Sequence, residues 1–245
     1  MMKIAAKSDV GRVRTNNEDS LLIDELLGLL ILADGMGGHA GGEVASSVAV
    51  ATVAAYVRGQ LVGPELAEPT AALLQAAIRT ADEAIWTQAH ARRELQGMGT
   101  TVVLALCQRD QVHIAHVGDS RAYLLHDGGL RQLTEDHSVV AQLIKAGQLT
   151  PRQARSHPLR HQITRSLGNR EAVAELRCVT WQHGNCLLLC SDGLTNMVGD
   201  RHIEALIRQA SGDMQAACEA LVARANANGG KDNISVILAH RDEQP

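Results

Sequence analysis

The chain has 245 residues, 45% of them hydrophobic and 20% charged, with a formal net charge of -4. That balance suits a soluble globular protein whose length one large layered domain can absorb, so a single domain over 1–245 is expected. Aromatic residues are only 2% and Phe is absent, which leaves Ala, Val, Leu and Ile to fill the core. Neither a stacking platform nor a basic footprint is present, and nucleic acid is excluded as a partner.

The first informative stretch is 31–43, "ILADGMGGHAGGE". An apolar run ends at Asp34, and five glycines follow within the eight residues 35–42. Residues 35–40 fit the G-x-G-x-x-G/A dinucleotide cradle, but that cradle wants an acid about 20 positions on for the ribose. From Val44 through Pro64 there is none, and Asp34 would repel a pyrophosphate. Asp34 reads better as a metal ligand beside backbone kept bare by glycine.

Downstream, 43–58 is an Ala-rich buried helix. The run 69–94 is a second, with Leu73, Leu74, Ala77, Ile78, Ala81 and Ile85 on one stripe and a Pro69-Thr70 start. Strands are expected over 100–108, 111–118, 121–126 and 130–134. Short Arg109-Asp110 and Asp127-Gly128-Gly129 connections would join them into an antiparallel sheet. Residues 138–168 break this pattern with a short helix ending at Gly147, a Thr150-Pro151 start and a basic loop, and read as a flap-like insertion. A strand in 186–193, helices over about 200–209 and 213–227 and a strand over 233–240 complete the chain. Helices at both ends flanking antiparallel strands predict layers of helix on sheet.

Four aspartates share a setting. Asp34, Asp119 and Asp192 each follow an apolar strand, and Asp232 immediately precedes one. In antiparallel sheet the end of one strand lies beside the start of its neighbour, so the four can meet along one edge. Without cations they would raise one another's pKa values, which favours bound divalent metal, and an all-oxygen set selects Mg2+ or Mn2+ over zinc. Taken singly, an Asp-Gly pair is an ordinary turn.

In order along the chain stand "GRVRTNNEDS", "ADGMGGHAGGEVAS", "GMGTT", "HVGDSRAYLL", "LTEDHS", "LLCSDGL" and "GGKDNISV". With these motifs the chain resembles the metal-dependent protein serine/threonine phosphatases of the PP2C (PPM) family, bacterial branch. The resemblance implies an α+β fold, a four-layer α-β-β-α sandwich of two antiparallel sheets flanked by helices. It also implies two Mn2+ or Mg2+ ions with a possible third, and hydrolysis of phosphoserine and phosphothreonine by a hydroxide held between the metals.

Carried over by motif, Asp34 bridges two metals, the Gly35 carbonyl binds one, and Asp192 and Asp232 complete the other. Glu18 holds metal-bound water, Asp119 with Asp192 forms a third site, and Arg14 binds the substrate phosphate. His39 is the candidate proton donor to the leaving alkoxide. In the flap, His161, Arg160 and Arg165 are candidates to approach a phosphopeptide, the alternative being a charged loop that is simply solvated. His113 and His116 read as packed or surface residues.

The competing possibility is a non-catalytic phosphoprotein-binding module of the same fold. The presence of Asp34, Asp192 and Asp232 argues against it. The expected partners are phosphoproteins made by a serine/threonine kinase. The five cysteines lack a C-x-x-C spacing and read as buried reduced thiols. With no signal-like or membrane-spanning run, the expectation is a cytoplasmic monomer without membrane attachment.

Overall fold

The computed structural model describes residues 2–37, 41–61 and 70–242. Two antiparallel sheets lie face to face. In spatial order the first holds β1 (Met2–Asp9), β11 (Ile234–Arg241), β10 (Cys186–Cys190), β7 (Arg121–His126) and β8 (Gly129–Gln132). The second holds β2 (Asp19–Asp24), β3 (Leu29–Met36), β5 (Val102–Gln108), β6 (Gln111–Val117) and β9 (Glu175–Thr180), and the short β4 (Gly99–Thr100) pairs with the end of β3.

Strand alternation sorts side chains between layers. Leu30 and Leu32 of β3 face the other sheet and meet Leu187, Leu189, Ile237 and Ala239, whereas Leu29, Ile31 and Ala33 face helices. A strand buried on both faces reads as a continuous apolar run, as "LLILA" and "CLLLC" do. The helices α1 (Gly41–Gln60) and α2 (Thr70–Ala91) cover the second sheet. The first sheet is covered by α6 (Asp200–Gln209) and α7 (Met214–Ala227), with the single turn α5 (Asp192–Thr195) beside them. The result is the expected helix-sheet-sheet-helix stack.

Several expectations need adjustment. The strands over 100–134 do not form one sheet: β5 and β6 belong to the second and β7 and β8 to the first, and the chain changes sheets at Gly118-Asp119-Ser120. Hairpin pairing was visible locally, but which face each hairpin buries is a tertiary choice. The second helix stops at Ala91, before a 3-10 turn over Arg93–Leu95, and its proposed start at Pro69 lies outside the described residues. The edge strands β1 and β9 and the first-turn strand β2 had no counterpart in the sequence reading. Not every cysteine is buried either: Cys178 is exposed on β9. Burial pushes Cys186, Cys190 and Cys218 up to about 12, which keeps them as inert thiols. Among the described residues no helix is long and apolar enough to cross a membrane.

The insertion over 138–168 carries α3 (Val139–Lys145), capped by the Ser138 hydroxyl, and α4 (Pro151–Ala154), started by a Thr150/Gln153 capping box. Its base is stitched on both sides. The Thr164 amide donates to the His137 carbonyl, the Val139 amide to Gln162, and Thr100 and Leu167 form a bridge. Beyond it, buried Asp82 of α2 accepts amide hydrogens from Gly168, Asn169, Arg170 and Ala172 at 2.5–3.2 Å. These bonds replace the carboxylate's hydration without any cation. Asp82→Ala should therefore leave buried amides unpaired and cost about 2–4 kcal/mol, measured as a lower urea midpoint with unchanged m. An unchanged midpoint would contradict this account of the anchor.

Candidate metal and phosphate site

The carboxylates gather at one end of the sandwich, with contributions from both sheets. In the β2–β3 register Asp19 lies directly opposite Asp34. The Asp34 backbone is fixed on both sides: its amide donates to the Thr101 hydroxyl at 3.1 Å, and its carbonyl accepts from the Thr101 amide and the Thr100 hydroxyl. Thr101 Oγ1 also meets Ser120 Oγ at 2.8 Å, which ties β3 to the turn that presents Asp119. Position 35 must be glycine, because a Cβ there would run into the Gly42 and Glu18 carbonyl oxygens. At Gly42 a Cβ would lie 2.7 Å from the Glu18 carboxyl.

From the first sheet, Asp192 opens α5 just past β10 and accepts from Asn196 Nδ2 at 2.8 Å. Asp232 precedes β11, accepts its own neighbour's amide from Asn233, and pairs with the Arg14 guanidinium at 2.9 Å. Gly193 is needed because the Asn233 carbonyl occupies the space of a Cβ. Asn233 organises the loop that carries Arg14 and Glu18. Its Oδ1 accepts the Glu18 amide at 2.8 Å, and its Nδ2 donates to the Val10 and Asn16 carbonyls. A one-residue substitution there would detach the 10–18 loop from the sheet.

The electrostatics follow from packing like charges together. Asp34 and Asp192 each keep a rim open to solvent, yet burial is the largest cause that pushes both well above the usual carboxylate range. For Asp34 the charges of Asp19, Asp192, Asp119 and Asp232 add to it, and for Asp192 those of Asp119, Asp232 and Asp19. Burial, with neighbouring carboxylates adding to it, also pushes Asp19 and Asp119 up to about 6. Glu18 is raised by burial too, against the pull of Arg14. Such a set is unfavourable alone and suited to multivalent cations. The oxygen-only chemistry and the bare backbone at Gly35 and Gly42 fit a hard divalent ion.

Of the residues expected from sequence, the structure brings together Asp34, Gly35, Asp192, Asp232, Asp119, Glu18 and Arg14. The four aspartates meet between two sheet ends rather than along one edge. His39 lies outside the described residues. His161 is exposed on the flap, where burial and Arg160 lower its pKa. His116 is buried and its Nε2 meets the Glu135 carbonyl at 2.9 Å.

Two contributors were missed. Asp19 is one: it starts β2, its Oδ2 accepts from Ser191 Oγ at 2.9 Å, and its buried Oδ1 has no partner. Asn233 is the other, and its role depends on contacts with residues more than 200 positions away. A separate concavity of about 330 Å3 at the opposite end, by Gly28, Arg109 and Trp181, offers a single carboxylate, Glu25.

Residues 11–239 match the family described as Protein phosphatase 2C. The chain belongs to the protein phosphatase 2C family. It is 39% identical over 240 residues to the serine/threonine phosphatase stp of Listeria monocytogenes, with 96% of this chain and 94% of that one covered. It is also 41% identical to the serine/threonine protein phosphatase PstP of Mycobacterium tuberculosis, covering 98% of this chain and 45% of the longer relative. The crystal structure of Mycobacterium tuberculosis PstP superposes with a TM-score of 0.90 at 39% identity, covering 99% of each chain. A PstP catalytic domain in complex with two manganese ions gives 0.87 at 38% identity, with 99% of each chain covered. The α-β-β-α architecture is thus the family's fold.

Proposed function

We propose that this chain is a metal-dependent protein serine/threonine phosphatase that hydrolyses phosphoserine and phosphothreonine on proteins. The observation that carries the reading is the convergence of Asp34, Asp192, Asp119 and Asp232 from both sheets, with carboxyls forced upward by burial and mutual repulsion. The donor set and the relatives' chemistry favour two Mn2+ or Mg2+ ions, and a third is consistent with Asp119 beside Asp192. Asp34, the Gly35 carbonyl, Asp192 and Asp232 would hold the pair, and Glu18 would orient water by accepting its hydrogens. When bound, the cations supply an acidified water and a positive field for the phosphoryl oxygens.

The chain's own groups do the rest. Arg14, anchored to Asp232 on one edge, has N–H groups left to clamp a phosphate and hold it in line. His39 is the proposed proton donor to the leaving oxygen. His161 on the flap is the proposed contact to the substrate flanking the phosphate. The flap over about 138–168 is part of a single phosphatase domain over 1–245, which we expect to act in the cytoplasm as a monomer on substrates of a serine/threonine kinase.

The test is phosphate release from a phosphothreonine peptide. Addition of Mn2+ should elicit it, and EDTA should return it to background. Undiminished release in EDTA would reject the metal-dependent reading, and tight phosphopeptide binding without turnover would favour a binding module.

A further inference from the structure

Arg14 stands in a loop with little packing to seat it. Residues 12–16 are all exposed, and the two apolar side chains beside Arg14, Val10 and Val13, are 36% and 65% exposed. The pair between Arg14 and Asp232 is itself open to solvent, with 48% and 37% of the side chains exposed, and ion pairs of that kind fix a side chain weakly. Asp232 is also a proposed cation ligand. The place of the guanidinium must therefore be set by the backbone on either side of it.

On the C-terminal side Asn233 holds the Asn16 carbonyl and the Glu18 amide. On the N-terminal side the hold comes from Asp9 and Asn226. Asp9 ends β1 opposite Ile234, and its Oδ1 accepts both Asn226 Nδ2 at 3.0 Å and the Gly11 amide at 2.9 Å. Those two bonds, with the Arg12 and Lys7 charges helping against burial, keep its carboxyl below the usual carboxylate range, so it is an anion at neutral pH and a strong acceptor. Asn226 lies in the last turn of α7, which is ended by Gly229 and Gly230 at φ +129 and +50. The Gly230 amide donates back to the Ala225 carbonyl, and its own carbonyl accepts the Arg12 amide at 2.7 Å.

No side chain fits between the two segments. A Cβ on Gly11 would strike the carbonyl oxygens of Asp232 and Gly230, and one on Gly230 would strike Asn226 Oδ1 and lie 2.8 Å from Arg12 Cγ. Asn226 Oδ1 is buried with no partner among the described residues. The amide keeps this unfavourable setting because turning it over would aim Oδ1 at the Asp9 carboxylate.

We propose that Asp9 and Asn226 are positioning residues for the phosphate clamp: they fix the 9–12 turn on the end of α7 and so set where Arg14 meets the substrate. This deepens the phosphatase reading and rests on its assignment of Arg14 to the phosphate.

The test compares the intact wild type with Asp9→Ala, Asp9→Asn, Arg14→Ala and the double variant Asp9→Ala/Arg14→Ala. At saturating Mn2+ it reads kcat/KM on a phosphothreonine peptide and inhibition by inorganic phosphate, with Mn2+ affinity from calorimetry and loop order from amide exchange at 11–14. In Asp9→Ala, kcat/KM should fall about tenfold to a hundredfold, the scale of misplacing a group that orients a reactant. Phosphate inhibition should weaken alongside, exchange at Gly11 and Arg12 should quicken, and Mn2+ affinity should stay at the wild-type value. Asp9→Asn keeps an acceptor oxygen for Gly11 and should recover most of the loss. In the Arg14→Ala background Asp9→Ala should add almost nothing, because a residue that acts through Arg14 has nothing left to position.

Wild-type turnover and phosphate inhibition in Asp9→Ala would overturn the proposal. So would a full further loss on top of Arg14→Ala, which marks a merely structural role, or Mn2+ affinity lost in step with activity, which marks an effect through Asp232. If Arg14→Ala alone behaves as wild type, the phosphate assignment itself fails and the inference falls with it. Should Asp9→Ala not fold, Asn226→Ala takes its place under the same criteria, since it removes one of the two bonds to Asp9 and leaves the α7 backbone bonds intact.

Discussion

Asp34→Asn should abolish Mn2+-dependent turnover of a phosphothreonine peptide while making the EDTA-treated protein more stable. The side chain stands opposite Asp19 and in the field of Asp192, Asp119 and Asp232, so a neutral isostere removes the charge most opposed by its surroundings. Its backbone bonds to Thr100 and Thr101 are main-chain bonds that the substitution keeps. The expected loss is about a thousandfold or more in kcat/KM, the scale seen when a single transition-state group is lost. The expected gain in metal-free stability is on the order of 2 kcal/mol. Activity that survives, or a lower midpoint in EDTA, would show that Asp34 is not a charge held in place for cations.

A second large effect is the pH dependence of the metal-free fold. Asp19 and Asp119 sit at about 6, and Asp34 and Asp192 are also raised well above an ordinary 3.8. The folded state therefore holds protons that the unfolded chain has already released. That stabilisation is complete below about pH 4 and is lost as pH rises through the folded values. His137, lowered to about 4, acts in the opposite sense, but only as pH falls below its ordinary 6.5. The clean window thus lies above that point. Between pH 8 and 6.5 the EDTA-treated protein should gain stability on acidification, read from urea midpoints. Saturating Mn2+ should flatten the trend, and so in part should Asp34→Asn. A midpoint that falls on acidification in this window would contradict the placement of these carboxyls.

Much of the site was legible because aspartate is costly at the end of an apolar strand, and four such costs in one chain ask for a shared explanation. The long buried strands and α6 were equally plain, the latter from Asp200 to Gln209. Less visible were features whose signal is divided between distant segments. Asp19 carries no local sign of its place in the site, because its surroundings are supplied by Ser191 and Asp34 from other segments. Asn233 carries no local mark of its three bonds to the 10–18 loop. The split of 100–134 between sheets also escaped notice, since hairpin chemistry at Asp127-Gly128 fixes a pairing but not the layer to which it belongs. Edge strand β9, mostly exposed, lacks the alternation that marks half-buried strands.

The carboxylates come from both of two stacked sheets, whose inner faces meet largely through aliphatic side chains such as Leu30, Leu189 and Ile237. Contacts of that kind resist separation but tolerate a small sideways slip. Ions held jointly by Asp34 on one layer and Asp192 with Asp232 on the other would act as a rivet against that shear. The loaded protein should then melt as one cooperative unit, and the stripped protein should let its halves loosen at different temperatures.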